Sequence, residues 1–445
     1  MVWLGSRTNR VQEVIPVKHR SPYSLVDVND VSVVSIVNRR RGQAVVLGVD
    51  VAKGELIGCL VGSDRAFDRP WRIKSPGQVR LLVAKLLELR EPCPSLLVAM
   101  ESSGTYGDPF RQALFDAGME VQRISAKAVK DYSETFDGVP SQHDGKDAAI
   151  IGTLAQAGHG KTWAWNSGRD QDQALRYWIR RLDTAQRIKQ IFCGKLEALL
   201  ARHWPEAGAL LEQSGATLTR ALLHWGDPRS LAADEKAAAL LKKFGGHYLS
   251  EKKIAQVIES ARSTIGVRMS PWSIREMRDI ARAIVKQRRR IQGCRRELKK
   301  LTKDHRAIRS QAPAVGLITA CVLWMCLGDP ANYPGAAAYR KAMGLNLKER
   351  SSGLHKGKLS LSKRGQRLTR KWLYFSALRW MREPSVKRWV ERKKERDGGR
   401  GDKAAVGVMR RLALAAWHAG QGEAFDPERL FPGSRRASQK QEVSG

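Results

Sequence analysis

Two short apolar runs, Val45–Val49 and Leu96–Met100, each end on a carboxylate, Asp50 and Glu101 respectively. An acidic residue that closes an apolar strand is aimed at the crevice beyond the sheet. Two further acids, Asp144 and Asp147, are three residues apart and so share one face of a helix. All four can converge. Hard oxygen donors suit magnesium or manganese rather than zinc, and two such ions about 3.5–4 Å apart can activate a nucleophile and stabilise a leaving oxygen. A lone strand-end aspartate is usually a turn former. Four carboxylates in this order, on these elements, predict a divalent-metal site for phosphodiester chemistry.

The surrounding pattern predicts an N-terminal extension over residues 1–41 and an α/β domain over residues 42–160. Strands are expected at Val45–Asp50, Glu55–Val61, Trp71–Ile73, Leu96–Glu101 and Val121–Ser125, and helices at Gln78–Leu89, Asp108–Ala117, Ala126–Glu134 and from Asp144 onward. Three strands in quick succession followed by strand–helix repeats make a mixed sheet, with the acids where an open α/β sheet places its ligands.

Beyond Trp163 the strand signal fades, so the expected fold class is α/β plus all-α. A helical connector spans residues 161–307, a compact and mainly helical C-terminal domain residues 308–430, and a polar, disordered tail residues 431–445. Leu175, Trp178, Leu182, Ala185, Phe192, Leu196 and Leu199 keep a spacing of three and four, broken at Lys189. Met277, Ile284, Ile291 and Leu298 recur every seven residues, with Ile280, Gln287, Cys294 and Leu301 at the companion position. The two helices are expected to pair as an antiparallel coiled coil, with an insertion between them over about Glu212–Met269. In the C-terminal domain, helices are expected at Leu317–Leu327, Arg367–Met381 and Asp402–Ala419, with an irregular segment from Gly344 to Gly365.

The chain carries 79 Lys+Arg against 44 Asp+Glu, a net charge of +35. That much like charge opposes compaction, and its natural complement is a polyanion, nucleic acid above all. The second coiled-coil helix is the most basic, with Arg288, Arg289, Arg290, Arg295 and Arg296 around its apolar stripe. Such a run fits a phosphate track and a solvated face equally well. The six cysteines form no CxxC pair and no zinc spacing, so reduced thiols in a cytoplasmic protein are expected. No apolar stretch approaches the roughly 18 residues of a membrane span, and no membrane partner is expected.

Three motifs compete for chemistry. Gly158–Thr162 lacks the earlier glycine of a phosphate loop and follows a helix rather than a strand, so it is set aside. Ser102–Gly104 shapes the turn after the second acidic strand, with no His/Asp context for a nucleophile. Arg350-Ser351-Ser352-Gly353 stands among Lys356, Lys363, Arg364, Arg367 and Arg370. Cations there can neutralise a phosphate and favour serine attack, although such a turn more often only binds phosphate.

Taken together, Gly48-Val49-Asp50-Val51-Ala52-Lys53, Met100–Tyr106, Asp144–Ala148, Pro313–Gly316, Gly344-Leu345, Ser352-Gly353 and Ser362–Gly365 resemble the insertion sequence one-ten family of transposases. The likeness covers about Gly42–Gly160 and Ile308–Ala419. It implies a RuvC/RNase H-like domain with metal ligands Asp50, Glu101, Asp144 and Asp147, and a C-terminal domain whose nucleophile is Ser352. It further implies donor and target DNA, a structured guide (bridge) RNA, a homodimer or homotetramer with active sites shared between subunits, and action at the bacterial nucleoid. His143 replaces a usual threonine, Leu347 replaces a usual proline, and the extension and insertion have no counterpart in compact members. The rival readings are a metal-only junction resolvase and a non-enzymatic nucleic-acid scaffold. The four acids speak against the scaffold, and Ser352-Gly353 against the metal-only enzyme.

Overall fold

In the computed structural model the two acid-ended runs are adjacent parallel strands, and helices cover both their faces. The structure describes residues 21–93, 95–102, 104–139, 143–163, 170–349, 351, 357 and 359–431. The chain divides into two compact units, within residues 1–167 and 168–445.

The first unit contains β1 (Val26–Asp27), α1 (Val33–Arg40), β2 (Ala44–Val51), β3 (Glu55–Val61), β4 (Trp71–Lys74), α2 (Val79–Arg90), β5 (Ser95–Glu101), α3 (Asp108–Asp116), β6 (Val121–Ile124), α4 (Ala126–Asp137), α5 (Asp144–Gln156) and β7 (Lys161–Thr162). The sheet order is β1-β4-β3-β2-β5-β6-β7. Strands β2, β5 and β6 run parallel, while β3 is antiparallel to β2 and β4. This is the expected mixed sheet.

Both faces are covered, which explains why β2 and β5 read as continuous apolar runs rather than alternating ones. Val45, Leu47, Val49, Val98 and Met100 pack with Leu82 and Leu86 of α2. Val46 and Ala99 pack instead on Ile150, Ile151 and Leu154 of α5. Because side chains alternate, Asp50 and Glu101 emerge on the α5 face.

Helix α5 lies almost against the backbone of β2. A Cβ on Gly48 would stand 2.2 Å from the Ala148 carbonyl oxygen and 2.3 Å from the Gly152 nitrogen. Gly48→Ala must therefore push the acid-bearing helix outward. The expected result is a loss of about 1–3 kcal/mol of stability, read by chemical denaturation. An unchanged stability would show that the close approach is dispensable.

Residues before Gly42 also enter this unit. Val28, Val31 and Ile36 join its core, and β1 lies parallel to β4. A two-residue strand and an eight-residue helix are too short to show a period, so the sequence presents them only as an extension. Lys161 and Thr162, from the motif set aside as a phosphate loop, form an edge strand antiparallel to β6.

The second unit opens with α6 (Asp170–His203) and contains the short helices α7 (Ala207–Leu210), α8 (Ala216–His224), α9 (Pro228–Ala233), α10 (Ala237–Gly245) and α11 (Glu251–Arg262), then α12 (Pro271–Leu301). Helices α6 and α12 pair antiparallel. Leu175, Ile179 and Leu182 share a core with Cys294 and Leu298, whereas Leu196 and Leu200 share one with Met277, Ile280 and Ile284. Most of the expected heptad stripe is buried, Gln287 included, with Ile291 and Leu301 half-buried. The insertion packs on the far end of this pair through Trp225, Leu241 and Val257.

After the coiled coil come α13 (Arg306–Val315), α14 (Leu317–Leu327), α15 (Ala336–Ala342), β8 (Leu347–Lys348), β9 (Ser360–Leu361), α16 (Arg367–Trp380), α17 (Pro384–Arg396), α18 (Gly401–Gly420) and α19 (Pro427–Leu430). Sequence reading missed α17, whose apolar positions Val386 and Val390 are few among its charges. All six cysteines are free, as expected. Among the described residues, no helix is long and apolar enough to cross a membrane.

Candidate metal centre and nucleic-acid surfaces

Register brings the first two acids together. Val49 pairs with Met100, so Asp50 and Glu101 are the next step along neighbouring strands. Asp144 and Asp147 stand in the first turn of α5 on the same side of the sheet. A half-buried Asp50 accepts a hydrogen bond from the Val51 amide at 2.9 Å.

The acids interact as a cluster. Burial raises the Asp50 carboxyl above its ordinary range despite the Val51 amide, and the charges of Asp147 and Asp144 raise it further. Glu101 is raised by burial, then by Asp50 and Asp147. Asp147 is raised by burial and by Asp144, against Lys146 and His143. Each negative charge thus disfavours the next, and a cation offsets that repulsion. Among the described residues, no three His, Cys, Asp or Glu side chains stand close enough together to enclose an ion. The fit rests on donor chemistry: four carboxylates from three elements are a hard-oxygen set suited to a divalent ion.

Supporting residues went unread in the sequence. Lys146, between the two helix acids, is fully buried, and its Nζ donates to Asp137 Oδ1 at 2.7 Å and to the Val139 carbonyl at 2.5 Å. Tyr23 donates to the other Asp137 oxygen at 2.7 Å. These contacts tie α5 to α4 and to the chain's N-terminal segment. A lysine between two aspartates reads as solvated charge balance, and only the packing shows otherwise. His143 caps α5, its Nδ1 accepting from the Gly145 amide at 3.1 Å. That is the role a threonine oxygen plays at an N-cap, which accounts for the substitution noted above.

In the second unit, Ser352, Gly353 and Lys356 lie outside the described residues. The segment that carries them is bracketed by a two-stranded ladder pairing Leu347 with Leu361 and Lys348 with Ser360. Arg370 braces that region, its Nη1 donating to the carbonyls of Met343 at 3.1 Å and Gly365 at 2.9 Å. Lys363, Arg364 and Arg367 are exposed. On α12, Arg289, Arg290, Arg295 and Arg296 are exposed, while Arg288 donates to the Ser214 carbonyl at 3.2 Å.

The first unit is thus a mixed α/β sheet whose strand and helix ends carry a group of acids, and the second is a basic helical unit. A family model for the DEDD-type transposase of the IS110 group matches residues 47–205. The model described as Transposase IS116/IS110/IS902 family matches residues 307–391. The two together span more than half of the chain and include Asp50, Glu101, Asp144, Asp147 and Ser352. The protein belongs to the IS110 family of transposases. Among solved structures it is similar to T. thermophilus RuvC in complex with Holliday junction substrate, at 19% identity, covering 27% of this chain and 99% of that chain with a TM-score of 0.21. It is likewise similar to a Thermus thermophilus RuvC structure at 17% identity, with the same coverage and TM-score. No curated protein matches.

Proposed function

We propose that this transposase is an RNA-guided recombinase that cleaves and exchanges DNA strands for an insertion sequence. The observation that carries this reading is the placement of Asp50, Glu101, Asp144 and Asp147 at strand and helix ends on one face of the sheet, in a chain of net charge +35. These four acids would hold magnesium or manganese, which supplies charge neutralisation at the scissile phosphate. Ser352 acts as nucleophile. Its Oγ bonds to phosphorus, the bond from phosphorus to one deoxyribose oxygen breaks, and that oxygen leaves with the proton the serine gave up. The hydroxyl of the exchanged strand then attacks the phosphoserine and restores the serine. Arg288, Arg289, Arg290, Arg295, Arg296, Lys356, Lys363, Arg364, Arg367 and Arg370 contribute to the nucleic-acid surfaces. The functional division places the metal site in the first unit, including its residues before Gly42 and the strand Lys161–Thr162, with the helical connector and the C-terminal domain of residues 308–430 in the second, and the protein acts as a homodimer or homotetramer on cytoplasmic, nucleoid DNA.

Guidance by RNA is tested by purifying the protein and sequencing what accompanies it. A discrete noncoding RNA is expected, whose binding weakens by orders of magnitude between low and moderate salt as phosphate contacts release counterions. Recombination of DNA by nucleic-acid-free protein would contradict guidance.

A further inference from the structure

Within the second unit, α6, α12 and α16 enclose a cleft of ≈ 900 Å³ lined by Arg187, Arg288, Arg295, Arg367, Lys371 and Phe375. It adjoins a smaller one of ≈ 390 Å³ that shares Arg295 and Phe375 and adds Lys299 and Arg379. Asp183 is the acid in the larger lining, and Lys371 neutralises it at 2.5 Å. Among the described residues, Arg187, Arg288, Arg295 and Arg367 make no ion pair. The clefts are positive, and their positive charge is available to a ligand.

Phe375 is 45% exposed at the junction of the two clefts, and its neighbour Tyr374 is 44% exposed. The Phe375 ring is braced edge-on by Trp372, centroids 5.7 Å apart and planes at 80°. An exposed phenyl ring held rigidly among guanidinium groups has no role in the core. Two lining side chains, Gln186 and Trp372, also carry buried polar atoms, Oε1 and Nε1, with no hydrogen-bond partner. Cations that follow a backbone and an aromatic face that takes a base are together the chemistry of unpaired nucleic acid. A duplex keeps its base faces stacked inside and offers phosphates, sugars and groove edges, none of which stacks on an aromatic ring such as Phe375.

We propose that these joined clefts bind an unpaired nucleic-acid strand, with phosphates on Arg288, Arg295 and Arg367 and one base stacked on Phe375. The inference rests on the recombinase reading and specifies the form of nucleic acid that this surface takes.

The test uses full-length protein freed of nucleic acid by high salt, and labelled oligonucleotides of about ten residues in three forms: single-stranded DNA, single-stranded RNA and duplex DNA. Phe375→Ala is expected to weaken single-strand binding on the order of tenfold and duplex binding little, whereas Phe375→Trp retains both. Arg295→Ala is expected to reduce the salt slope by about one. Comparison of the DNA and RNA strands identifies which one the cleft prefers. Equal single-strand binding by wild type and Phe375→Ala would overturn the proposal. Cleavage of DNA, measured on the same proteins, is a separate readout. Cleft binding that behaves as described in a protein that never cleaves DNA would count against the recombinase reading alone, and the reverse pattern against the cleft alone.

Discussion

Asp147→Asn is expected to abolish DNA strand cleavage, by at least about a hundredfold, while making the metal-free protein more stable. The two effects share one cause. Losing a residue that merely supports a metal ligand typically costs 10–100-fold, and Asp147 is one of the four proposed ligands themselves. In the metal-free protein, however, its charge is partly buried and faces Asp144, Asp50 and Glu101. The folded carboxyl titrates above its ordinary value, so folding favours the protonated acid. The associated stability is fully present below the unfolded pKa, near 3.9, and is lost as pH rises through the raised folded value. At neutral pH the charge is a net cost, and neutral asparagine removes it. A gain of about 1 kcal/mol, or roughly 2–4 °C in melting temperature, is expected in chelator and not in saturating magnesium. A destabilised Asp147→Asn protein in chelator would mean that the acids are not a repelling cluster.

Ser352→Ala is expected to abolish both strand cleavage and any covalent protein–DNA adduct, on the order of 10⁴-fold or more. RNA and DNA binding should survive. A metal-only enzyme activates water and never becomes linked to DNA, whereas a serine nucleophile must pass through phosphoserine. Ser351 and Ser352 are adjacent and cannot both present their hydroxyls to one phosphate. The resemblance to the family motif favours the serine directly before Gly353, a residue type whose missing side chain permits close backbone approach, so Ser351→Ala should do much less harm. The measurement is denaturing electrophoresis of labelled DNA after quenching. An adduct formed by Ser352→Ala protein, or full recombination by it, would revive the metal-only resolvase.

The α/β unit was largely legible in the sequence because its strands are buried on both faces and its helices carry clear stripes. Val45–Asp50 and Leu96–Glu101 each fall within one observed strand, Leu317–Leu327 is one observed helix, and the heptad stripe from Met277 to Leu298 is buried as expected except at the half-buried Ile291. Segments whose order comes from tertiary contact were not legible. Residues 26–40 are fixed by docking against β4 and the core beneath it, and nothing periodic announces them. Lys146 is similar: its burial and its bonds to Asp137 and Val139 depend on where α4 ends relative to α5. For the acids, sequence showed which residues stand at strand and helix ends. The Gly48–Gly152 approach that sets α5 against β2 depends on residues without side chains.

The central claim, that the four carboxylates form the metal site for DNA cleavage, is tested most directly by titrating magnesium into chelator-treated protein and following cleavage of end-labelled DNA in wild type, Asp50→Asn and Asp147→Asn. Cleavage should be absent in chelator, return with saturable magnesium dependence in wild type, and stay absent in both variants at every concentration. Undiminished cleavage in excess chelator, or full recovery in either variant, would contradict the claim.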